Sequence, residues 1–263
     1  MISVAVAATN PAFEDQAITL ASKLGLQLLA SQISPQSVQV PDIILFVSAQ
    51  GLSLQATGKN APGPISVEFG SPSMRHRRRS GQNEMLGRAV GAGKKARLQV
   101  LDATAGLGRD SFVMADLGCC VSLCERQPII GELLADGLRA ARQASDEWLR
   151  SVSQRIEIFP GDARELDSTL LQTIEVIYLD PMFPARNKSA SVKKEMALFQ
   201  SLLDETESES DADDLLQWSL EQDVARVVVK RPAKAPNLAE RTPAHTIAGK
   251  SVRYDVYVKS AIS

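Results

Sequence analysis

A chain of 263 residues, 44% hydrophobic and 23% charged, has room for one large folded domain and a smaller companion. No apolar run approaches the ~20 residues of a membrane span, and Met1-Ile2-Ser3-Val4-Ala5-Val6 lacks the basic region of a secretory signal, so it reads as a strand and the expected compartment is the cytoplasm. The net charge of −2 hides a division: residues 1–97 hold 10 Lys and Arg against 5 Asp and Glu, while residues 98–263 hold 19 against 26. A basic first part suits a polyanionic partner touched by one portion of the surface.

In chain order, the first segment reads as strand 3–8, helix 13–24, short strands near 26–31 and 42–48, and a returning strand 52–56. A loop rich in Gly and Pro (58–64) and a strand 65–69 end this small α/β module, placed at residues 1–72. The basic run Met74 to Arg79 and a short helix 84–90 form a linker over 73–97. From residue 98 to 263, strands and helices alternate: strand 98–103, helix 110–117, strand 119–125, helix 129–144, strands 155–159 and 176–180, helices 192–203 and 212–221, strand 225–230. Such alternation calls for a parallel sheet with helices on both faces. Two closing strands, 246–248 and 252–259, are joined by a connection short enough for an antiparallel hairpin. The expected fold is therefore α/β: a Rossmann-like sheet of seven mostly parallel strands ending in an antiparallel hairpin, as in class I S-adenosylmethionine (SAM)-dependent methyltransferases, plus the small N-terminal module. The acidic, Ser-rich stretch 205–214 reads as a solvated loop and helix start.

Metal chemistry finds little support. Two histidines, His76 and His245, and three cysteines, Cys119, Cys120 and Cys124, show no zinc spacing, and the cysteines read as packing residues.

The strand ends carry the chemistry. Asp102, Gly106 and Gly108 fall on a strand-to-helix turn where glycines let the backbone approach a ligand. Asp110 opens the next helix, in reach of a methionine moiety. Glu125 ends the second strand, 17 residues past Gly108, placed for ribose hydroxyls. The third strand leads into Pro160-Gly161-Asp162, where an acid can reach an adenine amine, and the fourth reaches Asp180. Acids at successive tips repel the pyrophosphate of NAD and suit SAM, which has no phosphate. At Asp180-Pro181-Met182-Phe183 a carboxylate, a rigid carbonyl and an aromatic face suit a planar ring with an exocyclic amine. Asp180 and the Pro181 carbonyl accept the two amine hydrogens, and Phe183 stacks on the ring. These residues point to methylation of an amino nitrogen.

Asp102-Ala103-Thr104-Ala105-Gly106-Leu107-Gly108-Arg109-Asp110, Leu123-Cys124-Glu125-Arg126, Tyr178-Leu179-Asp180-Pro181-Met182-Phe183-Pro184, Lys188-Ser189-Ala190-Ser191-Val192-Lys193-Lys194-Glu195-Met196 and the upstream His76–Arg79 segment together resemble the RsmJ family over roughly residues 65–200. That resemblance implies a SAM-dependent 16S rRNA guanine-N2 methyltransferase acting at the guanine conventionally numbered 1516, with S-adenosylhomocysteine as by-product. It implies cofactor contacts at Arg109, Asp110, Glu125, Arg126, Gly161, Asp162 and Asp180. The partner would be 16S rRNA or the small ribosomal subunit, with no obligate protein partner evident. Gly161-Asp162 departs from the pair of small polar residues expected there, and the stretch 205–214 has no counterpart. For phosphate contacts the candidates are Arg75, Arg77, Arg78, Arg79, Lys188, Lys193, Lys194, Lys230, Arg231 and Lys234. Methylation of adenine N6 or of a glutamine amide, and a non-catalytic assembly factor, remain alternatives; an NAD-dependent oxidoreductase fits poorly.

Overall fold

The protein is described by a computed structural model covering residues 2–79, 83–181, 202 and 209–262. The described residues form two compact units, the first holding residues 2–68 and 127–140, the second residues 69–79, 83–126, 141–181 and 209–262.

In the first unit, strands β1 (Val4–Ala8), β2 (Gln27–Leu28), β3 (Ile43–Ser48) and β4 (Gly51–Ala56) form a sheet in the order β2-β1-β3-β4. β1 runs parallel to β2 and β3, and its Ala5–Ala8 run is fully buried, as a strand with neighbours on both edges requires. Helix α1 (Glu14–Leu24) crosses between β1 and β2; Glu14 and Asp15 complement its positive end, and Gly25 at φ 65° closes it by donating to Ala21 and Ser22 carbonyls. β3 and β4 pair as a hairpin turned at Ala49-Gln50. The backbone N–H of Leu52 donates to Asp136 Oδ2 (2.8 Å) on helix α5 (Pro128–Gln143), which ties the hairpin to the helix. The strand expected at 65–69 reduces to a single bridge, Leu54 with Ile65 (2.8 Å in each direction): the next outward N–H of β4, that of Leu52, is taken by Asp136. β2 is likewise only two residues long.

The second unit opens with helices α2 (Pro72–Arg79) and α3 (Glu84–Val90). The basic run expected in a linker is thus helical. Seven strands follow: β5 (Gln99–Asp102), β6 (Cys120–Glu125), β7 (Ile156–Pro160), β8 (Val176–Leu179), β9 (Arg226–Pro232), β10 (His245–Ala248) and β11 (Val252–Val258). Their order is β10-β11-β9-β8-β5-β6-β7. β7, β6, β5, β8 and β9 are parallel, while β11 pairs antiparallel with β9 and with β10. Numbered within the sheet, this is 3-2-1-4-5-7-6, the seven-stranded arrangement with a terminal antiparallel hairpin that the sequence predicts. Val176–Leu179 is buried throughout, because β8 lies in the middle with both faces covered. Leu101, Ile177, Leu179, Val227 and Val229 pack against Leu215 and Leu216 of helix α8 (Glu209–Glu221) on one face.

Helix α4 (Arg109–Asp116) connects β5 to β6. Two short helices were not expected: α6 (Glu147–Ser153), capped by Asp146 accepting from the Trp148 N–H, and α7 (Ser168–Leu171), capped by Asp167 accepting from the Thr169 N–H. The helix expected at 192–203, apart from residue 202, and residues 205–208 of the acidic stretch lie outside the described residues. No described helix is long and apolar enough to cross a membrane.

Candidate active site

In an open parallel sheet, ligands bind at the carboxyl ends of the strands where the chain order reverses. Here that point lies between β5 and β8, so Asp102 and Asp180 flank the crevice from either side. The loop after β5 crosses it: Asp180 N–H donates to Thr104 Oγ1 (2.6 Å), and Ala103 N–H donates to the Tyr178 carbonyl (3.0 Å).

Asp102 is 1% exposed. Its carboxylate accepts from the Thr104 N–H (3.1 Å) and from Ser111 Oγ, so it holds the turn rather than facing solvent. Burial pushes its pKa up to about 7, against those two hydrogen bonds, which favour the charged form. Gly106 and Gly108 both have positive φ, 53° and 67°. Glu125, buried at the tip of β6, ties two loops together: its Oε2 accepts the Gly106 N–H (2.8 Å) and its carbonyl accepts the Gly161 N–H (3.0 Å). A Cβ added at Gly106 or Gly161 would meet no atom within 4 Å, so open space lies in front of both backbones.

Asp162, beyond β7, is gripped by Arg164 through Nε (2.9 Å) and Nη2 (2.5 Å). Burial would raise its pKa, but the Arg164 hydrogen bonds outweigh that and hold it below the ordinary carboxylate value. Arg126 does not stand alone either: its Nη1 pairs with Asp211 Oδ2 (2.9 Å) of α8, and Arg164 reaches the same carboxylate (3.0 Å). Asp211 belongs to the stretch expected to be merely solvated, so part of that stretch is anchored. Arg109, at the first turn of α4, is exposed.

A chain of alternating charges runs from α2 to the tip of β8. Arg77 Nη2 donates to Asp110 Oδ1 (2.6 Å); Asp110 Oδ2 accepts from Tyr178 OH (2.6 Å) and from Lys230 Nζ (2.8 Å); Lys230 Nζ also donates to Asp180 Oδ2 (2.7 Å). Asp110 is 8% exposed, and although burial alone would raise its pKa, Lys230 and Arg77 hold it well below the ordinary value. The sequence places Asp110 in reach of a methionine moiety; within the protein its side-chain oxygens accept from Arg77, Tyr178 and Lys230.

The cations expected on phosphates divide in the same way. Lys230 is held between two carboxylates, and Arg231 is 4% exposed with Nη2 on the Pro236 carbonyl (2.9 Å). Arg75 pairs with Asp146 (2.6 Å) and lies 5.2 Å over the Trp148 ring, while Arg78 lies 4.8 Å over that ring and pairs with Asp116 (3.1 Å). Arg77 sits in the charge chain. Arg79 and Lys234 are exposed. Helical geometry accounts for this: Arg75 and Arg78, three apart, share the face that meets Trp148. Thr104 and Ser111 do not stand out in the sequence as parts of the site, and Arg77 and Lys230 read there as phosphate contacts. A Lys one position from the end of a buried strand run was the available signal. Pro181 is buried; Phe183, Lys188, Lys193 and Lys194 lie outside the described residues. Among the described residues no group of His, Cys, Asp and Glu is arranged to hold a metal ion.

Comparison with known proteins extends this reading to nearly the whole chain. A family described as putative SAM-dependent methyltransferases matches residues 28–259. Ribosomal RNA small subunit methyltransferase J of Marinobacter nauticus is 45% identical over 258 residues, 97% of this chain and 91% of the relative. The protein of the same name from Thioalkalivibrio sulfidiphilus is 46% identical over 249 residues, 93% of each. The crystal structure of the SAM-dependent methyltransferase NGO1261 from Neisseria gonorrhoeae is 32% identical, covers 96% of this chain and 95% of its own, and superposes with a TM-score of 0.73. A strand order with its crevice between Asp102 and Asp180, and this likeness along almost the full length, establish that the chain belongs to the RsmJ family of SAM-dependent methyltransferases.

Proposed function

We propose that the chain methylates the exocyclic N2 of a guanine in small-subunit ribosomal RNA, giving N2-methylguanosine, at the guanine numbered 1516 in the RsmJ pattern. The observation that carries this is Asp180 at the tip of β8, its N–H fixed on Thr104 and its Oδ2 fixed on Lys230, with buried Pro181 next in the chain. The names of the curated relatives support a small-subunit rRNA target. An rRNA substrate also makes the cytoplasm the expected compartment.

The crevice residues fit SAM. Open space in front of Gly106 and Gly161 gives a cradle, and the carboxylates around it favour a cation and hydroxyl or amine hydrogens over phosphate. Glu125 would bind the ribose hydroxyls, Gly161 and Asp162 the adenine side, and the Gly106–Asp110 turn the methionine end, with Arg109 and Arg126 at the margin. When bound, SAM supplies an electrophilic methyl group on a sulfonium whose departure needs no assistance.

What the protein supplies is the nucleophile. Guanine N2 donates its lone pair into the ring and is nearly nonbasic. Asp180 and the Pro181 carbonyl, accepting its two N–H bonds, would localise that pair, aim it, and stabilise the positive charge developing on nitrogen. Phe183 would stack on the base. The methylated amine becomes acidic as the bond forms, so Asp180 or water suffices to take the proton. An embedded guanine must leave its stack to reach Asp180; Arg79, Lys188, Lys193, Lys194 and Lys234 are the proposed phosphate contacts. The test is Asp180→Ala: single-turnover methyl transfer to unmodified small-subunit rRNA should be lost, while SAM binding by calorimetry weakens less. Transfer at the wild-type rate would remove Asp180 from the chemistry.

A further inference from the structure

Lys230 lies on β9, beside β8, with Lys230 paired opposite Tyr254 of β11. Its side chain is 23% exposed, too enclosed to be an ordinary surface cation. Its ammonium donates to two carboxylates, Asp110 Oδ2 at 2.8 Å and Asp180 Oδ2 at 2.7 Å. Asp110 is immobilised in turn by Arg77 (2.6 Å) and by the Tyr178 hydroxyl (2.6 Å), so the ammonium is fixed from behind by groups on three elements, α2, α4 and β8. Asp180, by contrast, is the most open member of the chain, its side chain 39% exposed. A carboxylate at a strand tip rotates about its side-chain bonds unless something holds it.

We propose that Lys230 is a positioning residue that holds the Asp180 carboxylate in its amine-accepting orientation, using Asp110 as a fixed anchor. This rests on the reading of Asp180 given above and reassigns Lys230 from phosphate binding. Two of the three ammonium N–H donors are committed to carboxylates inside the site and its charge is already balanced there, which makes it a poor partner for a backbone phosphate, whereas it fixes one Asp180 oxygen and thereby sets the plane of the other. Its charge matters as well as its geometry. Burial would lower its pKa, but Asp180 and Asp110 outweigh that and hold it well above the ordinary lysine value, so the group stays an ammonium throughout the working range. An ammonium beside Asp180 keeps that carboxylate ionised and accepting. Other charged or titratable groups acting on this cluster include Arg77 on α2, Asp102 on β5, Tyr178 on β8 and Tyr254 on β11. Of these only Arg77 shares the sign of Lys230, and it sits on the far side of Asp110.

The experiment compares Lys230→Met, Lys230→Arg and Asp180→Ala in steady-state methylation of unmodified small-subunit rRNA, with SAM affinity measured by calorimetry. A positioning role predicts that Lys230→Met lowers kcat about 100-fold, the scale of a misplaced catalytic group, with KM for RNA and the SAM Kd within about threefold. The acidic limb of its pH–rate profile should move to higher pH, and Lys230→Arg should recover most of the rate with the limb restored. A raised KM at unchanged kcat would return Lys230 to phosphate binding. An unshifted limb with Arg no better than Met would reduce it to packing. If Lys230→Met does not fold, Lys230→Gln tests the same contact: kcat should fall with the SAM Kd kept, and a wild-type kcat overturns the proposal. Loss of activity in Asp180→Ala with none in the Lys230 variants would refute this inference alone; full activity in Asp180→Ala would remove the reading beneath it.

Discussion

Asp102→Asn should stabilise the folded chain, and more so as pH rises. The carboxyl is 1% exposed, and burial pushes its pKa up to about 7 from the 3.8 of an exposed aspartate. Between those values the folded state holds a proton that the unfolded state has lost, so stability falls with rising pH across the window from about 4 to 7. At 1.36 kcal/mol per pKa unit, the roughly three-unit gap sets an upper bound of about 4 kcal/mol. Partial entry of water lowers the expected effect to about 2–4 kcal/mol. Asparagine keeps an acceptor for the Thr104 N–H and can still meet Ser111, but carries no charge to desolvate. The assay is urea unfolding of both proteins by circular dichroism from pH 4.5 to pH 8. The difference between them isolates this group, because all other titrations are common to both. It should be small at pH 4.5 and grow by about 2–4 kcal/mol in favour of the variant by pH 8. A difference that does not vary with pH would refute the argument.

Two further outcomes follow from packing and from the loops. Gly137→Ala would place a Cβ 2.6 Å from the Val67 carbonyl oxygen, and a backbone atom cannot rotate aside. It should lower stability by about 1–3 kcal/mol, opposite in sign to the ~1 kcal/mol that alanine ordinarily gains over glycine within a helix; a raised Tm would contradict the contact. Glu125→Ala removes the acceptor of the Gly106 N–H and should weaken SAM binding about 10- to 100-fold by calorimetry, which is about 1.4–2.8 kcal/mol. An unchanged Kd would mean that neither the loop tie nor the ribose contact matters.

The sheet was legible because its signals are local. Buried runs such as Val176–Leu179, glycines at the β5–α4 turn and the short connection before β11 each declare themselves within about ten residues. The charge chain was not, since its partners are remote in sequence: Arg77 meets Asp110 33 residues on, and Lys230 meets it 120 residues back. Composition identifies cations but not whether solvent or a carboxylate faces them. For that reason the Arg75–Arg78 run read as a phosphate-binding linker, although the helix turns two of its guanidiniums onto Trp148 and a third onto Asp110. The strand read at 65–69 stopped at the Ile65 bridge for a similar reason, because Asp136, 84 residues from Leu52, takes the N–H that would continue the ladder.

The most direct test of the account is the identity of the methylated nucleoside. Small-subunit rRNA lacking its native modifications would be incubated with the enzyme and SAM, digested, and analysed by mass spectrometry. The account predicts N2-methylguanosine, absent when Asp180→Ala replaces the wild type. N6-methyladenosine, or N2-methylguanosine that persists in Asp180→Ala, would contradict it.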